Sequence, residues 1–348
     1  MTRTESSDKL AVMATRREFL TVAGLPAVAA AMSKLPAAET IRAVVAADGS
    51  GDFQTIQRAV DHVLDHSSVD VDRVILEIRP GVYRERVKVP QDAPRLTLAG
   101  SDAASTVIAC SVGAEAAGGT FFSPVVEVDG PAFEAVNISF ENRFGSGSQA
   151  LAISIHSDRA VFRGCRFSGW QDTIYAASGR QYFRDCFIEG QVDFIFGNAA
   201  AVFDGCQIHS RGSGYIAAHR RTRPDEPTGF VFRDCKLTAP GAAPAHPSGP
   251  DVFLGRPWRS CARVVFLKCW MGGHIRPEGW DNWGNAANEK TAWFAELDST
   301  GPGSNAAARV SWARTITPAA AAAFAPQVFL KGSDGWDCPA AARWKLGH

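Results

Sequence analysis

The chain has 348 residues, enough for one large domain or two ordinary ones. Lys plus Arg and Asp plus Glu both number 36, so no overall field draws the protein to nucleic acid or to an anionic membrane. With 32 Gly, 21 Phe and 9 Trp, the composition favours short strands joined by tight turns, with aromatic surface for sugars, over long amphipathic helices.

Residues 1–38 have their own logic. Arg16 and Arg17 are followed by Phe19, Leu20 and a short apolar run broken by Gly24 and Pro26. The run is too short for a stable bilayer span, and small residues at 36–39 ("PAAE") offer a cleavage region. The pattern resembles a twin-arginine export signal, which predicts a periplasmic or extracellular protein with no membrane segment in the mature form. Residues 39–348 are then one domain. Its single clear helix signal is "DFQTIQRAVDHVL", with Phe53, Ile56, Ala59, Val60, Val63 and Leu64 at helical spacing.

A repeat follows. "VFRGCRF" (161–167), "YFRDCFI" (182–188), "VFDGCQI" (202–208) and "VFRDCKL" (231–237) align, and "VVFLKCW" (264–270) is a looser copy. The cysteines are 21, 20, 29 and 34 residues apart. A period near 20 with no helix between copies predicts an all-β solenoid of parallel strands. A propeller blade needs about twice that length, and a doubly wound sheet needs a crossover helix. Equivalent positions of successive coils then form ladders about 4.8 Å apart. The cysteines read as an inward ladder of small apolar residues, with Cys206 and Cys235 the candidates for a bridge. No C-x-x-C spacing is present, so no structural zinc is expected. The stretches after Cys206 ("SRGSGYIAAHRRTRPDEPTG") and Cys235 ("TAPGAAPAHPSGPDVF") read as loops thrown out from the coil.

Asp172 follows Cys165 by seven residues, and Asp193 follows Cys186 by seven. In-register cysteines put the two aspartates on neighbouring coils, one strand spacing apart. Two carboxylates that close cannot both ionise freely, so one becomes an acid and the other a nucleophile or base. That separation also suits a retaining glycosidase. The neighbours Gln171 and Gln149 supply neutral amide donors for an oxyanion, which acyl chemistry needs and glycoside cleavage does not.

Beyond these patterns, "GVYRERV" (81–87), "SQALAI" (148–153), "WQDTIYA" (170–176), "GQVDFIFGNAAAVF" (190–203), "LGRPW" (254–258), "MGGHIRPEGWDNW" (271–283) and "AELDSTGPGSNAAARVSW" (295–312) resemble the signature blocks of pectinesterases, in the family's order. The resemblance implies a right-handed, single-stranded parallel β-helix, preceded by the short N-terminal helix. It implies a carboxylic ester hydrolase that removes methyl esters from pectin (methylated polygalacturonate) without a metal or other cofactor. A monomer is the default expectation for an extracellular solenoid. Carried over by motif, Asp193 is the nucleophile and Asp172 the general acid and then base. Gln149 and Gln171 stabilise the oxyanion, and Arg256 holds Asp193 ionised. Trp258, Phe196 and Tyr175 line the sugar cleft, while Tyr83 and Glu85 are structural. His219 and Arg220 depart from the family's usual Gln and Gly, which puts subsite preference in question. Two alternatives predict different products: a hydrolase or lyase that cuts the polygalacturonate backbone, and a carbohydrate-binding solenoid without turnover.

Overall fold

The computed structural model describes residues 39–66, 71–241 and 250–343; the proposed export signal at 1–38 lies outside them. The repeat resolves into a strand, a corner and a second strand. Ala160–Arg163, Arg180–Arg184, Ala200–Asp204, Gly229–Arg233 and Arg263–Leu267 lie side by side, all parallel, as one face. The residue before each cysteine is the corner. Gly164, Asp185, Gly205, Asp234 and Lys268 all have φ between 52° and 66°. A single left-handed residue turns the chain there, which is why Gly or a short polar side chain recurs.

A second face follows the cysteines, in Arg166–Ser168, Lys236–Thr238 and Trp270–Met271. The third comprises Val126–Val128, Ile153–Ile155, Ile174–Ala176 and Val252–Pro257. Phe187–Gly197 and Gln207–His219 run unbroken through both faces. The fold is the expected parallel β-helix.

The interior is built by register. Phe162, Phe183, Phe203, Phe232 and Phe266 stack face to face, with centroids 4.8, 4.6, 4.7 and 4.4 Å apart. The spacing is that of the strands, so each ring covers the next without distorting the backbone. The residue before each Phe points outward. Val161, Tyr182, Val202, Val231 and Val265 are covered by Phe324, Leu330 and Cys338 of the C-terminal segment. Beside the rings, the thiols of Cys186, Cys206, Cys235 and Cys269 donate to the carbonyls of Phe162, Phe183, Phe203 and Phe232 on the preceding coil. All eight cysteines are free, so the bridge considered for Cys206 and Cys235 is not made. Each thiol turns onto a carbonyl of the preceding coil rather than onto its neighbour's sulfur.

The expected helix is present at Ile56–His66, with Ile56, Ala59, Val60 and Val63 buried. It starts four residues late because its leading residues are tied to the strand Glu39–Val45. Asp52 accepts from the Val44 amide and Phe53 bridges to Val45. Both carboxylate oxygens of Glu85 accept from the first helical amides, those of Ile56 and Gln57, at 2.9 Å. The Tyr83 hydroxyl lies 2.8 Å from the Arg79 carbonyl and 3.1 Å from that of Val45. Both side chains therefore fasten the first coil.

The stretch after Cys206 is not a loop along most of its length. It continues as the strand ending at His219, and only 220–228 leaves the coil. Gly190 pairs with Ser210 and Val192 with Tyr215, so three extra residues bulge out between them. Gly and Ser gave that bulge the composition of a loop. Of the stretch after Cys235, residues 242–249 lie outside the described residues and Val252–Pro257 is strand.

Candidate active site

Asp172 and Asp193 stand at the corner that opens the third face, with φ of 64° and 49°. Aspartate is among the few residues that accept this conformation. Beyond them Ile174 pairs with Ile195 and Tyr175 with Phe196; before them Gln171 bridges to Val192. The two aspartates thus occupy equivalent places on adjacent coils, as the seven-residue offsets predict. The Asp172 amide donates to the Val192 carbonyl at 3.0 Å. Both side chains are buried, Asp172 at 9% and Asp193 at 6% exposure.

Arg256 reaches Asp193 from two coils further on, along the row Phe196, Ala218, Arg256. Its Nε donates to Asp193 Oδ1 at 2.9 Å and its Nη2 to Oδ2 at 2.6 Å. The guanidinium is itself clamped, 3.8 Å from the ring centroids of both Tyr215 and Trp283. Trp283 is held over it by a turn in which its amide donates to Asp281 Oδ1 at 2.7 Å. A bidentate fork between two aromatic faces has little freedom to rotate, so the carboxylate it grips is fixed in orientation.

The two acids differ in environment. Burial drives Asp172 well above the ordinary carboxylate range, the Asp193 charge adds to this, and Arg256 opposes it. For Asp193 burial is again the largest influence and raises the carboxyl; the hydrogen bonds and charge of Arg256 oppose it and Asp281 adds to it. Arg256 was expected to hold Asp193 low. Burial outweighs it, and Asp193 stays above its ordinary value, though less displaced than Asp172. The order of the pair survives: Asp172 keeps its proton to higher pH than Asp193.

A cleft of about 340 Å³ opens over the pair, lined by Gln149, Gln171, Asp172, Asp193, Phe196, Arg256 and Trp258 together with Thr120, Phe121, Ala218 and Trp283. Gln149 bridges to Gln171 across adjacent coils. Among the described residues neither side-chain amide has a hydrogen-bond partner, so both are free to donate into the cleft. The aromatic floor is a row. Phe121 to Tyr175, Tyr175 to Phe196 and Phe196 to Trp258 are 4.9, 4.7 and 5.7 Å between centroids. Phe196 and Trp258 face the cleft as expected. Tyr175, 8% exposed and packed between Phe121 and Phe196, supports the floor rather than lining it.

Thr120, Phe121, Tyr215 and Trp283 escaped the sequence reading, although Trp283 lies in a quoted motif. His219 does not face the cleft. It is fully buried, its Nδ1 accepts from the Arg221 and Arg263 amides, and burial pushes its pKa down to about 3. Only Arg220 of that pair is exposed. Among the described residues no group of three or more His, Cys, Asp or Glu is arranged to hold a metal ion.

Comparison with known proteins agrees across the chain. The family model described as Pectinesterase matches residues 42–333. Pectinesterase 31 of Arabidopsis thaliana is 41% identical over 297 residues, covering 82% of this chain and 91% of its own length. The structure of a pectin methylesterase from carrot superposes with a TM-score of 0.80 at 35% identity, covering 88% of this chain and 98% of that one. A pectin methylesterase in complex with a hexasaccharide gives a TM-score of 0.71 at 27% identity, covering 86% and 99%.

Proposed function

The chain belongs to the pectinesterase family, and from that premise we infer that it removes methyl esters from pectin, leaving free carboxylates and releasing methanol. Asp193, ionised and held by Arg256, attacks the carbonyl carbon of the C6 methyl ester. The carbonyl oxygen takes up the negative charge, and the amide N–H groups of Gln149 and Gln171 donate to it. As the tetrahedral species collapses, the C–O bond to methoxide breaks and Asp172 gives its proton to the departing methanol. The uronate is left as an acyl group on Asp193. Asp172, now a carboxylate, takes a proton from water, and the resulting hydroxide attacks the acyl carbonyl. Collapse frees the uronate acid and restores ionised Asp193 and protonated Asp172.

The observation that carries this assignment is the asymmetry of the pair. One carboxylate is gripped bidentately by a clamped guanidinium, and its neighbour in register is raised by burial and a like charge, opposed only by the charge of Arg256, the smallest of the three influences. Aromatic faces suit the apolar surfaces of sugar rings, in keeping with Phe196 and Trp258 as binding groups. We read the twin-arginine segment as directing export to the periplasm or beyond. The test is methanol release from methylated pectin by the purified protein, with Asp193→Asn alongside. Wild-type turnover with the variant silent supports the assignment; equal turnover by both removes Asp193 from the chemistry.

A further inference from the structure

The corner between the second and third faces changes along the solenoid. On the coils that carry Asp172 and Asp193 it is tight, 170–173 and 191–194, and it begins at Gly169 and Gly190. A Cβ at Gly169 would strike Thr173, and one at Gly190 would strike Phe194 and Thr173. On the two preceding coils the corner is long, 111–125 and 143–152. In the place of those glycines the coil of Gln149 has Asn142, 3% exposed. Its side-chain Nδ2 faces the carbonyls of Val112 at 2.9 Å, Leu151 at 3.0 Å and Ser123 at 3.3 Å. Its Oδ1 accepts from the Val112 and Phe144 amides, both at 3.2 Å. Carbonyls on one side and amides on the other allow the group one orientation. Buried Ser123 joins the same knot, its hydroxyl accepting from the Leu151 amide at 3.2 Å and donating to the Thr120 carbonyl at 2.6 Å.

We propose that Asn142 is a positioning residue for the ester hydrolysis, which by tying two long corners to one buried amide sets the place of the oxyanion donor Gln149. This rests on the pectin methylesterase reading of the site. The Gln149 side chain has no hydrogen-bond partner among the described residues, so its backbone decides where its amide points. That backbone lies between two coils: its carbonyl accepts from the Ala114 amide at 2.9 Å, and on the other side it bridges to Gln171. Ala114 follows Val112 by two residues and Leu151 follows Gln149 by two, and Asn142 holds both Val112 and Leu151. An oxyanion donor works only within about half an ångström of its place, and an error of about 1 Å costs about 10²-fold. The tight corners need no such device, because their few residues are fixed by the strands at either end. Where the corner lengthens, one fully bonded amide replaces that constraint.

The test is a double-mutant cycle read as methanol release from methylated pectin, per folded molecule. Asn142→Asp keeps the shape and the acceptor but turns an oxygen onto the three carbonyls. It should lower kcat by about 10- to 100-fold, with KM changing by less than about three-fold. Gln149→Ala alone should lower kcat by about 10²-fold. Added to Gln149→Ala, Asn142→Asp should cost no more than about a further two-fold, because the donor it places is already gone. If Asn142→Asp does not fold, Ser123→Ala carries the same comparison, with a kcat loss of about three- to ten-fold that is present with Gln149 and absent without it. Equal losses with and without Gln149, or an unchanged kcat in the single variants, overturn the proposal, while methanol release by wild type leaves the esterase reading standing. Absence of methanol with wild type removes that reading and the proposal with it.

Discussion

The inner ladder and the catalytic corner use one period for opposite ends. Inside, each coil repeats its residues: Phe on Phe within 4.8 Å, and Cys beside the carbonyl of the coil below. Repetition there is stabilising because identical apolar groups in register fill space without voids. At the corner the same register brings Asp172 beside Asp193, where repetition is unfavourable because like charges share a buried place. The solenoid spends its regularity on stability inside and on a forced mismatch outside. Only the mismatch calls for one-off partners, here Arg256, Tyr215 and Trp283, all from later coils.

That contrast is open to a double dissociation. Asp193→Asn should lower kcat for methanol release by about 10⁴-fold or more, the scale seen when a covalent nucleophile is removed. Its thermal midpoint should move little. Phe203→Ala, in the centre of the ring stack, should do the reverse. It opens a void between Phe183 and Phe232 and should cost about 3–5 kcal/mol in denaturant unfolding, with kcat per folded molecule retained. If Phe203→Ala slows turnover as much as it destabilises, the ladder and the corner are one cooperative unit and the contrast fails.

Arg256→Lys tests how the corner tolerates its mismatch. Lysine keeps the charge but cannot reproduce the two-pronged contact or lie flat between Tyr215 and Trp283. We expect kcat/KM to fall by about 10²-fold. The pH profile should move in a defined direction. Asp193 must be ionised to attack, so weakening the group that opposes its upward shift moves the acid limb to higher pH. The alkaline limb reports loss of the Asp172 proton, held well above the usual carboxylate range by burial. It should shift less, because Arg256 is the smallest of the influences on it. A profile whose acid limb stays in place separates Arg256 from the ionisation of Asp193.

What the sequence made legible follows the same division. Cys165 and Cys186 carry the register, and a seven-residue count from each locates both aspartates. Gln171 and Gln149 were legible as neighbours of that register. Trp283 and Phe121 were not, because they enter from a turn and an irregular segment that carry no repeat. The strand through Arg211–His219 was misread because its three-residue bulge has the composition of a loop. His219 was misplaced for a related reason: beyond Ala218 the inward or outward sense of each residue depends on where the strand ends, and sequence leaves that end uncertain by a residue or two. The upward shift of Asp193 was hidden too, since burial is a property of the packed neighbours and not of the motif.

The smallest effect separates two readings of the inner ladder itself. Cys206 and Cys235 are one coil apart, and a bridge between them would close a loop that reduction opens at a cost of about 2–4 kcal/mol. The structure has both thiols free, donating to the Phe183 and Phe203 carbonyls at 3.6 and 3.3 Å. Cys206→Ala then removes one buried sulfur and a weak hydrogen bond, for about 1 kcal/mol. The thermal midpoint of the wild type should be the same with and without reductant. A midpoint that falls on reduction, and falls no further in Cys206→Ala, would mean that the ladder is stapled and that its stability is not a matter of stacking alone.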